Sequence, residues 1–98
     1  MKDNVQRCMF YLYILKSSVS NRHYIGHTNN LDNRLMRHNQ KEVRSTKAYT
    51  PWKLVYSETY QTKTEARKRE IELKRHTWKR QEIFNKTEMK YTSGGPIV

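Results

Sequence analysis

Five side chains in this sequence have the types and spacing needed to hydrolyse a phosphodiester. Tyr13 closes the triplet Tyr11-Leu12-Tyr13, and Tyr24 opens Tyr24-Ile25-Gly26. Arg34 and His38 stand one helical turn apart, and Glu70 falls on what should be the buried face of a later helix. A guanidinium offers a planar fork that holds a phosphate and offsets the charge built up during displacement. A histidine one turn further on can donate to the same phosphate or act as acid or base. A tyrosine is a weak base until cations stabilise its phenolate. A lone inward carboxylate is costly unless it is paired or binds a metal ion.

Each residue also has a plainer structural reading. Arg34 can cover apolar surface with its stem, and His38 can be a satisfied core histidine. Tyr13 and Tyr24 are two of seven tyrosines and can simply pack. Glu70 can pair on the helix surface with Arg67 or Lys74, which is worth a few tenths of a kcal/mol. No residue decides the matter alone.

The elements that must position these groups are legible from patterning. Residues 9–15 form an aromatic and aliphatic run that reads as a buried strand, and residues 23–27 read as its hairpin partner. On that hairpin Tyr13 and Tyr24 would face one another, and Gly26 marks a close approach of backbone to something else or an awkward strand-end angle. Thr28, Asn29 and Asn30 are N-cap candidates for a helix over 31–39, with Asp32 in its first turn. Leu31, Leu35 and His38 share a stripe there, with Arg34 at its edge.

Residues 40–49 read as a polar, basic loop. Residues 52–60 read as a third strand, with Trp52, Leu54 and Tyr56 on one face and Val55 blurring the alternation. Thr62 and Glu65 make a capping box that opens a helix reaching about Arg75, in which Ala66, Glu70 and Leu73 form one stripe. Thr77 caps a further short helix carrying Trp78, Ile83 and Phe84. The order ββαβα(α) predicts an α+β fold, a small three-stranded sheet flanked by helices. Residues 1–85 would be a single domain and 86–98 a loose tail.

Composition narrows the partner. Twenty Lys and Arg against nine Asp and Glu leave a net charge of +11, which points to a polyanion such as nucleic acid. The basic residues do not lie opposite one long apolar face, and no segment approaches the ~20 apolar residues of a span, so no membrane is expected. The single Cys8 excludes an internal disulfide and fits a cytoplasmic setting. A zinc cluster is not expected either: His23 and His27 would share a strand face but stand too far apart.

Taken together, Tyr13, Tyr24-Ile25-Gly26, Arg34, His38 and Glu70 resemble the GIY-YIG nuclease superfamily over about residues 10–83. Tyr11 and Leu12 depart from the eponymous Gly and Ile, while the second triplet is intact. The segment from Ser45 to Tyr56 is similar to the small, single-domain bacterial branch.

The resemblance implies metal-dependent phosphodiester hydrolysis in nucleic acid. With contacts made chiefly by charge, the expectation is a structure-selective or weakly selective DNA nuclease with a role in repair. In such a site Glu70 would hold one weakly bound Mg²⁺ or Mn²⁺, Tyr24 would help activate water with support from Tyr13, and Arg34 would stabilise the phosphorane. His38 would assist, and Asn85 is a further candidate near the metal. Arg44, Lys47, Arg67, Lys68, Lys74 and Arg75, with Arg69, Lys79 and Arg80, would hold the backbone, a kind of contact that reads polyanion and shape rather than sequence. The rival readings are a non-catalytic nucleic-acid-binding module on the same scaffold and a protein-interaction domain.

Overall fold

The computed structural model describes residues 9–86, so Cys8 and the proposed tail from residue 87 onward lie outside the described residues. Strand β1 (Phe10–Ser17) is central, pairing antiparallel with β2 (His23–Thr28) on one side and with β3 (Trp52–Tyr60) on the other. Helix α1 (Leu31–Asn39) follows β2. Helices α2 (Lys63–Arg75) and α3 (Thr77–Lys86) follow β3. The α+β architecture with a three-stranded sheet is therefore as expected. No helix among the described residues is long and apolar enough to cross a membrane.

Alternation along β1 sends side chains to two separate cores. Leu12 and Ile14 join Ile25, Leu73, Ile83 and Phe84 beneath α2 and α3. Tyr13 and Leu15 join Trp52, with Leu31 and Leu35 of α1 packed against them. Each helix thus covers one face of the sheet with its apolar stripe, which is why so short a chain can bury both faces.

The third strand departs from simple alternation. Ile14 pairs with Tyr56 and Leu15 with Leu54, so Val55 is a bulged residue without a partner on β1. The bulge shifts the register by one, placing Trp52 under α1 while Val55, Tyr56 and Tyr60 pack toward α2. Trp52 and Tyr56 therefore do not share a face as the alternation predicts.

Local signals set the helix ends. Asn30 caps α1 by accepting from the Asn33 N–H at 3.0 Å. Thr62 caps α2 by accepting from the Glu65 N–H at 3.1 Å, and its hydroxyl also meets the Glu65 carboxylate at 3.2 Å. At the other end of α2, Arg80 folds back and donates to the carbonyls of Leu73 and Lys74 at 2.9 and 3.0 Å, satisfying acceptors that the helix itself leaves open. The loop after α1 is more ordered than its composition implies. It includes a 3-10 turn at Lys47–Tyr49, and Thr46 is fully buried.

Candidate active site

On the α1 face, β1 presents Tyr13 and β2 presents Tyr24. Their ring centroids lie 5.9 Å apart. Tyr13 pairs across the strands with Gly26, and this explains the glycine. A Cβ there would stand 2.8 Å from both the Tyr13 hydroxyl oxygen and Tyr24 Cε2. The hydrogen side chain leaves the room into which both rings lean.

His38, fully buried on α1, ties this face together. The Thr46 hydroxyl donates to the Val43 carbonyl at 3.3 Å and so accepts from His38 Nδ1–H at 2.8 Å. His38 Nε2 is then an acceptor, and the Tyr13 hydroxyl donates to it at 3.0 Å. Burial, reinforced by Arg34 and Arg37, lowers the imidazole to a pKa of about 4, so it is neutral at pH 7. Burial, followed by the neighbouring Tyr24, raises Tyr13 well above the ordinary tyrosine range, with Arg34 opposing. Tyr13 is thus a neutral phenol committed to its histidine. Both nitrogens of His38 are engaged, so it reaches a substrate only through Tyr13 and does not donate to a phosphate directly.

Glu70 projects from α2 on the other face, in line with Ala66 and Leu73 as the stripe predicts. Its carboxylate is 16% exposed and bonds on both oxygens. His27 Nδ1–H donates to Oε1 at 2.5 Å, and Lys74 Nζ donates to Oε2 at 2.6 Å. The Lys74 partner matches the plain pairing read from sequence, whereas His27 is a partner that helix periodicity could not supply.

The two faces meet because β2 is the edge strand. Lys74, bonded to Glu70, stands 6.0 Å from the Tyr24 ring centroid on the far face. The charges of both Arg34 and Glu70 act on Tyr13. A pocket of about 210 Å³ at this end of β2 is lined by Phe10, His27, Thr28, Asn29, Arg34 and Lys63. The Arg34 side chain makes no ion pair or hydrogen bond among the described residues, so its guanidinium is available within the same pocket as the partner of Glu70.

The other cations expected from the sequence to contact phosphates divide into two groups. Arg69 donates two parallel bonds to Glu58 at 2.9 and 3.0 Å and a third to Glu72 at 3.0 Å. Lys79 also bonds Glu72. Tyr56 and Tyr60 donate to Glu58 at 2.6 Å each. Burial pushes the Glu58 carboxyl up, but these bonds outweigh it and hold it below the usual range. Arg69 therefore fastens α2 to the sheet, and Lys79 and Arg80 fasten α3 to α2, rather than standing ready for phosphates. Arg44, Lys47, Arg67, Lys68 and Arg75 are exposed and without ion pairs among the described residues.

Asn85 lines a separate groove near Trp78 and accepts from Gln81 at 3.2 Å. Among the described residues no three His, Cys, Asp or Glu side chains gather as a metal cluster. His23, buried against Phe84 at 4.7 Å between ring centroids, has no hydrogen-bond partner on either nitrogen among the described residues. Sequence reading missed His27 and Thr46. The signal for His27 was its place directly after Gly26, on the face opposite Tyr24, and Thr46 left none.

Comparison with known proteins shows the family. The GIY-YIG catalytic domain matches residues 9–88. A UPF0213 protein of Staphylococcus epidermidis is 41% identical over 68 residues, covering 68% of this chain and 82% of that relative. A UPF0213 protein of Bacillus pumilus is 39% identical over 75 residues, covering 76% of each. A UPF0213 protein from Bacillus halodurans, solved by solution NMR, aligns over 89% of this chain and 88% of its own at 26% identity with a TM-score of 0.46. This chain belongs to the GIY-YIG family, a nuclease-type domain family, among the small bacterial UPF0213 proteins.

Proposed function

We propose that this protein is a metal-dependent endonuclease that hydrolyses phosphodiester bonds in DNA, selective for structure rather than sequence and acting in repair in the cytoplasm. The observation that carries the reading is the sharing of one pocket by unpaired Arg34 and by His27, whose ring is bonded to Glu70.

The residues divide the work by their bonding. Arg34, with no internal partner, grips the non-bridging oxygens of the scissile phosphate and strengthens its hold as they gain charge. Tyr24 is the more accessible of the two tyrosines and orients and activates the attacking water. Tyr13, anchored through His38 and Thr46, supports it from behind while keeping its own proton. His27 holds Oε1 and fixes the carboxylate of Glu70. Arg44, Lys47, Arg67, Lys68 and Arg75 supply the diffuse attraction that brings a polyanion to the site.

The donor set fits a magnesium-like ion. Such an ion needs only one carboxylate, keeps several waters and takes its other ligands from phosphate. Glu70, with His27 beside it, is the residue that would hold Mg²⁺ or Mn²⁺, and that ion would supply Lewis-acid polarisation of the phosphate. Lys74 neutralises Oε2 meanwhile and is the group that must yield. That both oxygens already have partners also favours a second reading, a binding module without turnover.

Plasmid nicking separates the two. The enzyme reading predicts Mg²⁺- or Mn²⁺-dependent nicking that disappears in Arg34→Ala and Glu70→Ala while DNA binding persists. Variants that nick as well as the parent protein would end it.

A further inference from the structure

Trp78 has no role in the chemistry above, yet it is the most exposed aromatic side chain of the described core elements, at 60%. It lies on α3 in a groove of about 630 Å³ whose other walls include Arg75, His76, Gln81, Glu82 and Asn85. The indole is not simply loose. Lys79, itself bonded to Glu72, holds its ammonium 5.3 Å from the ring centroid and steadies the ring from one side. We infer that this groove is a stacking subsite for an unpaired nucleobase of the nucleic acid cleaved at Glu70 and Arg34. This inference rests on the nuclease reading for its location relative to chemistry.

Three features favour a base over other occupants. A flat aromatic ring exposed beside an apolar floor suits another flat ring, and base stacking of this kind is tolerant of sequence. The carboxylate of Glu82 disfavours a phosphate within the groove, whereas a neutral base is not repelled. Gln81 and Asn85 bring amide donors and acceptors to the rim, the groups that meet base edges. The surrounding charge is strongly positive at +11 overall, with Arg75 at the groove and without an ion pair among the described residues, so the backbone flanking that base is attracted.

Position supports the link to the site. The groove begins where α2 ends, and Arg75 at its wall follows Glu70 by five residues on that helix. The Arg34 pocket reaches Lys63 at the helix's other end, so a strand tracking α2 would pass both. Inside a continuous duplex both faces of a base are covered by its neighbours, so a base freed from pairing and stacking is the one that can offer its face to the indole. Stacking at Trp78 would therefore select flaps, forks and single-stranded ends over continuous duplex.

The test uses the whole chain in EDTA, with a short oligothymidylate and a blunt duplex of equal length as probes. Trp52 is buried and Trp78 exposed, so quenching of the red-edge tryptophan emission reports Trp78. The expected result is quenching by oligothymidylate but not by duplex, with roughly tenfold or greater loss of oligothymidylate affinity in Trp78→Ala. Trp78→Phe should recover most of it, and duplex affinity should stay unchanged. Equal weakening toward both probes, or no quenching and no weakening, would overturn the inference. So would a concentration-dependent emission change without nucleic acid, which would assign the groove to a protein partner.

Because the binding assay needs no turnover, a protein that stacks oligothymidylate but never nicks DNA refutes the nuclease reading alone. One that nicks with Mn²⁺ yet binds identically after Trp78→Ala refutes only the stacking subsite. Thermal melting of each variant confirms that the exposed position leaves the fold intact.

Discussion

His27 on β2 and Glu70 on α2, 43 residues apart in sequence, share a 2.5 Å hydrogen bond at the edge of the sheet. The bond joins the strand carrying Tyr24 to the helix carrying the carboxylate. The position of Glu70 relative to the tyrosines is therefore set by a side chain as well as by packing. His27→Ala should leave the fold stable, because the imidazole is 24% exposed and makes one modest bond. Mn²⁺ affinity, read by electron paramagnetic resonance, should nonetheless fall, and nicking should drop with it. Unchanged Mn²⁺ binding would show that Glu70 needs no such positioning.

Lys74 should behave in the opposite sense. Its ammonium pairs with the carboxylate oxygen that a divalent ion would approach. Lys74→Met removes that competitor, at a cost in an exposed ion pair of about 0–1 kcal/mol. Mn²⁺ affinity should rise by up to about fivefold, as measured by calorimetry. Weaker binding in the variant would mean that Lys74 is no competitor.

Arg34→Ala and Glu70→Gln should each reduce the rate of nicking by about 100-fold or more, the scale for losing one stabilising group at a reacting centre. Arg34→Lys should rescue little, because an ammonium cannot reproduce the two-pronged grip on phosphate. Equal rates for Arg34→Lys and the parent protein in single-turnover nicking would reduce the arginine to a generic cation.

Gly26→Ala should be far more harmful than its size suggests. The new Cβ would meet the Tyr13 hydroxyl at 2.8 Å, and Tyr13 is buried and pinned to His38. Overpacking of this kind costs about 1–3 kcal/mol. Thermal melting should show that loss, together with loss of nicking from the displaced tyrosines. A variant that melts like the parent protein would show that the rings have room to move.

Acid should unfold the protein through two histidines. His23 and His38 are both lowered from 6.5 to about 4, with burial the main cause in each. A group whose folded pKa lies below its unfolded value stabilises the fold above the unfolded pKa. Stability should therefore be full above pH 6.5 and lost progressively as pH falls toward 4, by roughly 3 kcal/mol for each histidine. His23→Leu should flatten the pH dependence of the melting temperature without weakening the protein at pH 7, since both ring nitrogens lack partners among the described residues. An unaltered acid limb in that variant would remove His23 as a cause.

Much of this molecule can be read from its string of residues, because the physics involved is local. The capping residues Asn30 and Thr62, the hairpin, the apolar stripe of α1 and the inward place of Glu70 all depend on neighbours within a turn or two. The face of Trp52 relative to Tyr56 could not be read, since a bulge at Val55 depends on how β1 accepts β3. Nor could the burial of Thr46, which lies in a polar loop and is drawn inward only because His38 needs an acceptor and Trp52 a carbonyl.

Charge shows the same division. Composition determined that a polyanion would be attracted, since a net charge is a sum and needs no coordinates. Only the tertiary structure decided which cations are spent on Glu58, Glu72 and helix ends and which, like Arg34, stay available. It also brought Glu70 around an edge strand to within the electrostatic reach of Tyr13, because such pairings depend on distances between chain segments that sequence separation does not encode.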